Sequence, residues 1–287
     1  MEISKIRLST PDVPIKLRNI PQPPKGLFVV GKNVNELLKR PCVTIVGSRK
    51  VSAYGKTVTT DLAGELAKAG VVIISGLAIG VDSIAHKAAL DVGGLTIAVL
   101  PSGINRIYPA SHKGLAMQIL QQGGALISEY PNDEMPHKYH FIERNRIASG
   151  LGDALLVTEA AEKSGTLHTA NFALEQGKPV LAVPGNITSP TSVGTNNLIK
   201  MGALPATSAQ DVLTAMGLEF KDQSREAPRS TNPNEQILLD LLFSGITDGT
   251  ELVENSRLEV SLFNQTLTML EIRGLIRPLG NNKWGLK

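Results

Sequence analysis

Five short apolar runs in this chain each end at a turn that contains glycine, and a helical pattern follows each turn. The runs are residues 42–46, 71–74, 95–100, 154–157 and 180–183. Strands that alternate with helices in this way predict an α/β domain, with a parallel sheet wrapped by helices. The carboxyl ends of such strands meet at one edge, where the N–H groups of helix starts favour anions. The chain therefore predicts a phosphate-binding edge.

Composition narrows the class of protein. The chain has 287 residues, of which 42% are hydrophobic, and this is enough for one large domain and one small domain. It contains no run of eighteen apolar residues and no signal-peptide pattern at its start, so we expect a cytoplasmic protein without a membrane partner. Its single cysteine, Cys42, lies in a strand pattern and excludes a disulfide or a cysteine-zinc site.

Prolines and changes in polarity divide the chain into four segments. Residues 1–40 are rich in proline and read as an extended lead-in, and residues 41–218 form the α/β domain. Residues 219–233 are polar and carry two prolines, which is typical of a linker, and residues 234–287 form a small second domain. Residues 1–230 carry a net charge of +5, whereas residues 231–287 carry −2. Only the larger part suits a polyanion, and only mildly.

The last segment shows three helical patterns followed by a hairpin whose turn is Gly280-Asn281-Asn282. This order predicts a winged-helix-like domain, a fold often used to read duplex DNA. Its third helix, however, offers Arg273 as its only basic residue and has Glu259 and Glu271 beside or within it. Neutralisation of phosphates would be poor there, so we favour a docking or stabilising role.

The first candidate site is the turn Gly47-Ser48-Arg49, between a strand and a helix. Glycine permits close approach of a phosphate, serine donates a hydrogen bond, and arginine grips phosphate oxygens with two donors. A tight turn with an exposed arginine is the alternative. The sequence does not match two familiar nucleotide-binding motifs. A P-loop needs a glycine five residues before Gly55-Lys56-Thr57, and this chain has Lys50 there. Residues 76–80 lack the glycine spacing of a dinucleotide-binding motif. We therefore predict no cofactor.

The segment 136–146 interleaves basic and aromatic residues, as proteins that bind single-stranded nucleic acid do. We assign phosphate contacts to its cations and base stacking to one of its rings. The cations are Lys138, Arg144 and Arg146, and the rings are Phe141 and Tyr139. In the alternative, the segment is an ordinary helix start in which an arginine ties loops together.

The third candidate is Ser164-Gly165-Thr166, which precedes a helical pattern. The N–H groups of Gly165 and Thr166, with the two hydroxyls, make an anion cradle, and a simple helix cap is compatible with that role. No paired carboxylates, catalytic triad or activated nucleophile accompany these turns, and His137 and His140 lack a third metal ligand. The sequence therefore predicts neither an enzyme nor a metal site.

Between about residues 18 and 217 these motifs, taken in order, resemble the DprA/Smf family of DNA-processing proteins. The motifs are Gly47-Ser48-Arg49 with Tyr54-Gly55, Ser75-Gly76 through Gly80-Val81-Asp82, Tyr108-Pro109, Ser128-Glu129-Tyr130, Phe141-xx-Arg144-Asn145-Arg146-x-Ile, Ser164-Gly165-Thr166-Leu167, Val183-Pro184-Gly185 and Gly194-Thr195-Asn196-Asn197. Val81 stands where isoleucine is commoner in the family. We expect the protein to lack the additional N-terminal helical domain of some relatives.

The resemblance implies an extended Rossmann-like fold with a parallel or mixed sheet that binds single-stranded DNA and forms a homodimer. It also implies that the protein protects incoming DNA and assists loading of the RecA recombinase during natural transformation. The DNA pocket that the resemblance implies comprises Gly47, Ser48, Arg49, Lys138, Phe141, Arg144, Asn145, Ser164, Gly165 and Thr166.

An enzyme of related architecture is the main alternative. The lysine-decarboxylase-like phosphoribohydrolases release bases from nucleotides and also hold phosphate at a glycine-threonine helix start. Their motif has tandem glycines before the threonine and a glutamate three residues after it. This chain has Thr169 at the latter position, so the carboxylate needed for acid-base chemistry is missing and hydrolysis is disfavoured.

Overall fold

A computed structural model describes residues 5–9, 12–218, 230–280 and 282–286 of the chain. It divides into two compact units, Met1–Glu219 and Phe220–Lys287. Of the predicted linker, residues 219–229 lie outside the described residues. Each unit has a hydrophobic core of its own.

The first unit is built on a mixed sheet of nine strands in the order β1-β2-β6-β5-β4-β3-β7-β8-β9. Pairing from β6 through β9 is parallel, and β1 and β2 pair antiparallel at one side of the sheet. The strands are β1 Lys5–Ser9, β2 Gly26–Gly31, β3 Cys42–Val46, β4 Val72–Ser75, β5 Thr96–Leu100, β6 Ala125–Ser128, β7 Ala154–Val157, β8 Val180–Ala182 and β9 Leu204–Pro205. The predicted α/β class is confirmed, and all five predicted strands are present.

The strand order reverses between β3 and β7. From β3 the chain moves outward through β4, β5 and β6, then returns to β7 on the other side of β3 and continues to β8 and β9. Loops diverge at such a switch point and leave a crevice at the carboxyl ends of the two strands, where ligands of open α/β sheets bind. This crevice is where the turn after β3 meets the loop after β7.

The interpretation of residues 1–40 as an extended lead-in is corrected by the structure. This segment contributes β1 and β2 to the sheet, where Phe28 pairs with Ser128 of β6. Two short helices, α1 Ile15–Arg18 and α2 Val34–Leu37, bury Leu17 and Leu37 against the core. The prolines mark the ends of these short elements, and apolar residues between them supply the free energy that folds the segment.

Helices cover both faces of the sheet. Successive strand residues point to opposite faces, so Val43 and Ile45 join one core while Cys42 joins the other. Helices α3 Ala53–Lys68, α4 Val81–Asp91, α5 Lys113–Gln121 and α9 Ala209–Ala215 pack on one face, and α6 Lys138–Leu151, α7 Thr166–Glu175 and α8 Val193–Lys200 pack with α1 on the other. No helix in the described part of the chain is long and apolar enough to span a membrane.

The second unit has three helices and a two-stranded antiparallel hairpin, the order predicted for a winged-helix-like domain. Its elements are α10 Pro233–Phe243, α11 Gly249–Ser256, α12 Val260–Ile272, β10 Ile276–Gly280 and β11 Lys283–Leu286. Leu238, Leu252, Phe263 and Leu270 are buried in its core. On α12 the cap position is Glu259, and Arg273 just after the helix pairs with Glu235 at 2.8 Å. The only cation predicted for this helix is thus already paired.

Candidate nucleic-acid interface

The turn after β3 is held in place from both sides of the switch point. The Ser48 N–H donates to the carbonyl of Glu159 in the loop after β7 at 2.8 Å, and the Ser48 carbonyl accepts from the Val81 N–H at 3.1 Å. At Gly47 an added Cβ would stand 2.6 Å from Val81 Cγ2, so a larger residue would push the turn off α4. The backbone of this turn is therefore fixed, while the side chain of Arg49 is exposed.

Arg49 and Phe141 form the centre of the candidate site. The guanidinium carbon of Arg49 lies 4.8 Å from the centroid of the Phe141 ring, a cation–π contact. The edge of Tyr108 meets the same ring, with centroids 5.5 Å apart. Two residues 92 positions apart in sequence thus place a cation over a half-buried ring. The sequence predicted both residues, whereas Tyr108 appeared only within a family motif.

Helix α6 extends this surface. Residues three, four or seven apart lie on one side of a helix, so Lys138, Phe141 and Asn145 form one stripe of α6. Lys138 is exposed at the first turn of the helix, and Asn145 is half-buried and accepts from Arg144 Nε at 3.2 Å. The stripe places a second cation about one helical turn from the Arg49–Phe141 pair.

The Ser164-Gly165-Thr166 turn adjoins the turn after β3. Thr166 Oγ1 donates to the Gly47 carbonyl at 3.0 Å, and the Thr166 N–H donates to Ser164 Oγ at 3.2 Å. Gly165 is exposed, and an added Cβ would meet nothing within 4 Å. The positive start of the ten-residue helix α7 therefore opens to solvent beside Gly47. We call the exposed surface of Arg49, Lys138, Phe141, Asn145 and Gly165 the strand-end site.

Arg144 lies beneath this surface rather than on it. Its side chain is buried, Nη1 donates to the carbonyl of Val99, and the guanidinium packs directly against Gly76, where a Cβ would overlap it. Asp82 is buried nearby, and its Oδ2 accepts from the Gly76 N–H at 3.1 Å. Burial raises the pKa of Asp82 and lowers the pKa of Arg144, and the attraction between the two charges opposes both shifts. Arg144 therefore holds the turn after β4.

Arg146 is placed away from the strand-end site. Five residues of α-helix separate it from Phe141, a rotation of roughly 140° about the axis of α6. Its Nη2 donates to both carboxylate oxygens of Glu129, at 2.9 and 2.7 Å, and the residue is buried. Of the three cations predicted in segment 136–146, the structure thus brings only Lys138 to the exposed stripe.

Sequence reasoning missed Glu159. This carboxylate is buried at the switch point, where Oε2 accepts from the Ser52 N–H at 2.9 Å and Oε1 has no hydrogen-bond partner in the described structure. It joins the start of α3 to the loop after β7 and so fixes the segment that follows Arg49. The one sequence signal was an acidic residue two positions after a buried strand, and that signal is not specific. Among the described residues, no group of three metal-ligating side chains comes together.

Most of the first unit matches a known protein family. The family model described as DNA recombination-mediator protein A matches residues 5–217. Protein Smf of Escherichia coli strain K12 is 49% identical over 190 residues, which cover 66% of this chain and 50% of that protein. The chain therefore spans about half the length of that relative.

Two solved structures have a similar fold. The X-ray structure of DNA processing protein A from Streptococcus pneumoniae matches with a TM-score of 0.68 and 40% identity, over 77% of this chain and 76% of that one. The protein of the same name from Helicobacter pylori, solved to describe its single-stranded DNA binding mode, matches with a TM-score of 0.67 and 35% identity, over 75% and 96%.

Proposed function

Since the chain belongs to the DNA recombination-mediator protein A family, we propose that it binds single-stranded DNA at the strand-end site and acts as a recombination mediator. The observation that carries this proposal is the Arg49–Phe141 pair at the switch point of the sheet. A cation beside an accessible ring is the combination that grips a phosphate and stacks an unpaired base at the same time.

Binding follows from three kinds of contact. Arg49 and Lys138 neutralise backbone phosphates, and the positive start of α7 attracts a further phosphate beside Gly165. Phe141 stacks a base, and because every base has a π-face this contact tolerates any sequence. Arg144, Asp82 and Glu159 act from beneath by holding the turns that present these groups. Association is therefore sequence-tolerant and salt-sensitive.

The strand is passed on to a partner. A recombination mediator hands its strand to a recombinase, so the proposed partner is RecA, and the proposed setting is the protection of incoming DNA in the cytoplasm during natural transformation. The protein acts as a homodimer in this account, with two strand-end sites on one particle. Sedimentation of the purified chain, and RecA filament assembly on coated single strands with and without it, test these two points.

The proposal contains no chemical step. Thr169 is buried where the related phosphoribohydrolases carry a glutamate, and the buried Glu159 contacts backbone at the base of the turns. Incubation of the chain with nucleoside monophosphates is therefore expected to release no free base. Release of base at a rate that scales with protein concentration would favour the hydrolase alternative.

The direct test compares a single-stranded oligothymidine with a duplex of equal length, by fluorescence anisotropy at two salt concentrations. We expect the single strand to bind at least about tenfold more tightly, because a base in a duplex is unavailable for stacking on Phe141. Equal affinity for both ligands would contradict the proposed mode of binding.

A further inference from the structure

A cavity of about 500 Å³ lies beside the switch point, at the carboxyl ends of β3 and β8. One wall is the start of α3, where Ser52 and Tyr54 line it, and the other is the loop from Pro184 to Ser192 between β8 and α8. In the described structure, none of the residues of the strand-end site lines this cavity. It is therefore a separate opening on the same edge of the sheet, and its volume is that of a small-molecule site.

Tyr54 supplies a fixed aromatic wall. Its hydroxyl donates to the carbonyl of Pro184 at 2.8 Å, so the side chain bridges the start of α3 and the loop after β8. The residue is nevertheless 50% exposed. A tyrosine held by its hydroxyl keeps its orientation and still offers ring surface, so a planar guest can stack on it at little cost in conformational entropy.

Ser192 brings an unused hydroxyl to the same cavity. The residue lines the cavity and is only 4% exposed, and its Oγ has no hydrogen-bond partner in the part of the chain that the structure describes. This oxygen faces Gly185, where an added Cβ would overlap it. A buried hydroxyl without a partner costs free energy, and a guest that forms a hydrogen bond to it recovers that cost.

Asn186 adds a directed amide. Its Oδ1 accepts from the N–H of Thr188 at 3.0 Å and from the Thr188 hydroxyl at 2.9 Å, which fixes the side chain. The amide nitrogen, Nδ2, has no partner among the described residues and can donate to a guest. The described residues that line the cavity carry no charge, so the lining does not compensate a phosphate. The cavity therefore favours an uncharged, planar guest with hydrogen-bonding atoms at its edge.

We propose that this cavity takes a nucleobase, which stacks on the Tyr54 ring and accepts hydrogen bonds from Ser192 Oγ and Asn186 Nδ2. The carbonyl oxygens of thymine suit these two donors. The base belongs either to a strand that also occupies the strand-end site or to a free nucleoside. Arg49 and Ser52 are three residues apart, so their Cα atoms are separated by at most roughly 11 Å, and a strand held at Arg49 reaches the cavity. The inference deepens the proposed function and rests on it only for the strand as the source of the base.

The first test is calorimetric titration of the full chain with thymidine. Tyr54→Ala and Tyr54→Phe both lose the hydrogen bond to Pro184, but only the alanine variant loses the ring. We expect Tyr54→Ala to weaken thymidine by at least about fivefold and Tyr54→Phe to keep its affinity. Ser192→Ala is expected to weaken it by about threefold, through loss of one hydrogen bond. Tyr139→Ala, which removes an exposed ring from α6, is the control, and Phe141→Ala reports any thymidine bound at the strand-end site.

The second test is photo-cross-linking with an oligothymidine of about twenty nucleotides in which thymines are replaced by 5-iodouracil, a base of similar shape that couples to aromatic rings on irradiation. Mass spectrometry then identifies the labelled peptides. We expect a labelled peptide that contains residue 54, present in the unchanged chain and in Tyr54→Phe and absent in Tyr54→Ala. Circular dichroism confirms that the variants are folded.

The two tests together separate the sources of the base. Labelling at Tyr54 assigns the base to a bound strand, whereas weaker thymidine binding in Tyr54→Ala without labelling assigns it to a free nucleoside. The proposal is overturned if Tyr54 is not labelled and thymidine either does not bind, binds equally well to Tyr54→Ala, or is lost only in Phe141→Ala. Failure of the oligonucleotide to bind at all would refute the proposed function, and the thymidine titration would still decide whether the cavity takes a base.

Discussion

At the residue scale, the proposed binding of DNA depends on which cations stay exposed. Arg49, Arg144 and Arg146 carry the same charge, yet only Arg49 is exposed beside a ring. Arg144 reaches the Val99 carbonyl and Arg146 reaches Glu129, residues 45 and 17 positions away. The sequence predicted Arg49 and Phe141 because a turn and an aromatic-basic segment are local patterns. The sequence did not show that Arg144 and Arg146 are buried, because their burial depends on partners that are distant in the chain.

Phe141→Ala is expected to weaken single-strand binding by about 1–3 kcal/mol, because one stacked base is lost, and to leave the salt dependence unchanged. Anisotropy titrations with oligothymidine measure both quantities. Tyr139→Ala is the matched control, since Tyr139 is an exposed ring on the same helix that stacks on His137 at 5.7 Å. An equal loss in both variants would mean that Phe141 is not the base platform.

His86 gives the folded chain a pH dependence. The residue is buried, Nδ1 contacts Thr96 Oγ1, and burial lowers its pKa from 6.5 to about 3. Between pH 3 and pH 6.5 the unfolded chain binds a proton at His86 that the folded chain does not bind. The contribution of His86 to the free energy of unfolding is therefore complete above pH 6.5 and is lost as the pH is lowered. His86→Gln is expected to remove up to about 1.4 kcal/mol per pH unit of this slope.

Urea unfolding followed by circular dichroism at several pH values measures this effect. Fluorescence would not report it, because the one tryptophan, Trp284, lies in the second unit. An unchanged slope in the glutamine variant would show that His86 does not contribute to the acid sensitivity of the first unit.

At the element scale, strands marked by local patterns were predicted from the sequence, whereas pairings between distant segments were not. The strands β3, β4, β5, β7 and β8 were predicted to within one residue at both ends, because short apolar runs that precede glycine turns are strong signals. Strands β1, β2, β6 and β9 were missed. The pairing of β2 with β6 is antiparallel and joins segments about 100 residues apart. No local pattern encodes such a pairing.

A substitution at the start of α7 tests whether a phosphate approaches Gly165. Gly165 has φ −59° and ψ −19°, and its added Cβ meets nothing, so Gly165→Ala is expected to keep or raise stability by about 0.4–1 kcal/mol. The same methyl group would stand where a phosphate approaches, so single-strand affinity is expected to fall. Gly114→Ala in α5, where an added Cβ also meets nothing, is the control. Unchanged DNA affinity in the Gly165 variant would remove α7 from the interface.

At the scale of the whole molecule, the two units differ in charge and in surface. Met1–Glu219 carries a net +4 and holds the strand-end site, whereas Phe220–Lys287 carries −1. In the second unit, Arg273 is paired with Glu235, which leaves α12 poorly suited to phosphates. The first unit is therefore expected to bind single strands on its own.

A chain that ends after Glu219 tests this expectation. Its affinity for oligothymidine is expected to stay within about threefold of that of the full chain, because every contact assigned to DNA lies in the first unit. A larger loss would mean that the second unit contributes to binding, either directly or through the proposed dimer. Sedimentation of both chains separates these two explanations.

Arg49 is proposed to neutralise a strand phosphate at the switch point of the sheet. The most direct measurement is the slope of log affinity against log salt for oligothymidine, for the unchanged chain, Arg49→Ala and the exposed-lysine control Lys68→Ala. Removing one phosphate contact is expected to reduce the magnitude of the slope by about 0.7 in the Arg49 variant and to leave it unchanged in the control. The same slope and affinity in all three proteins would contradict the account.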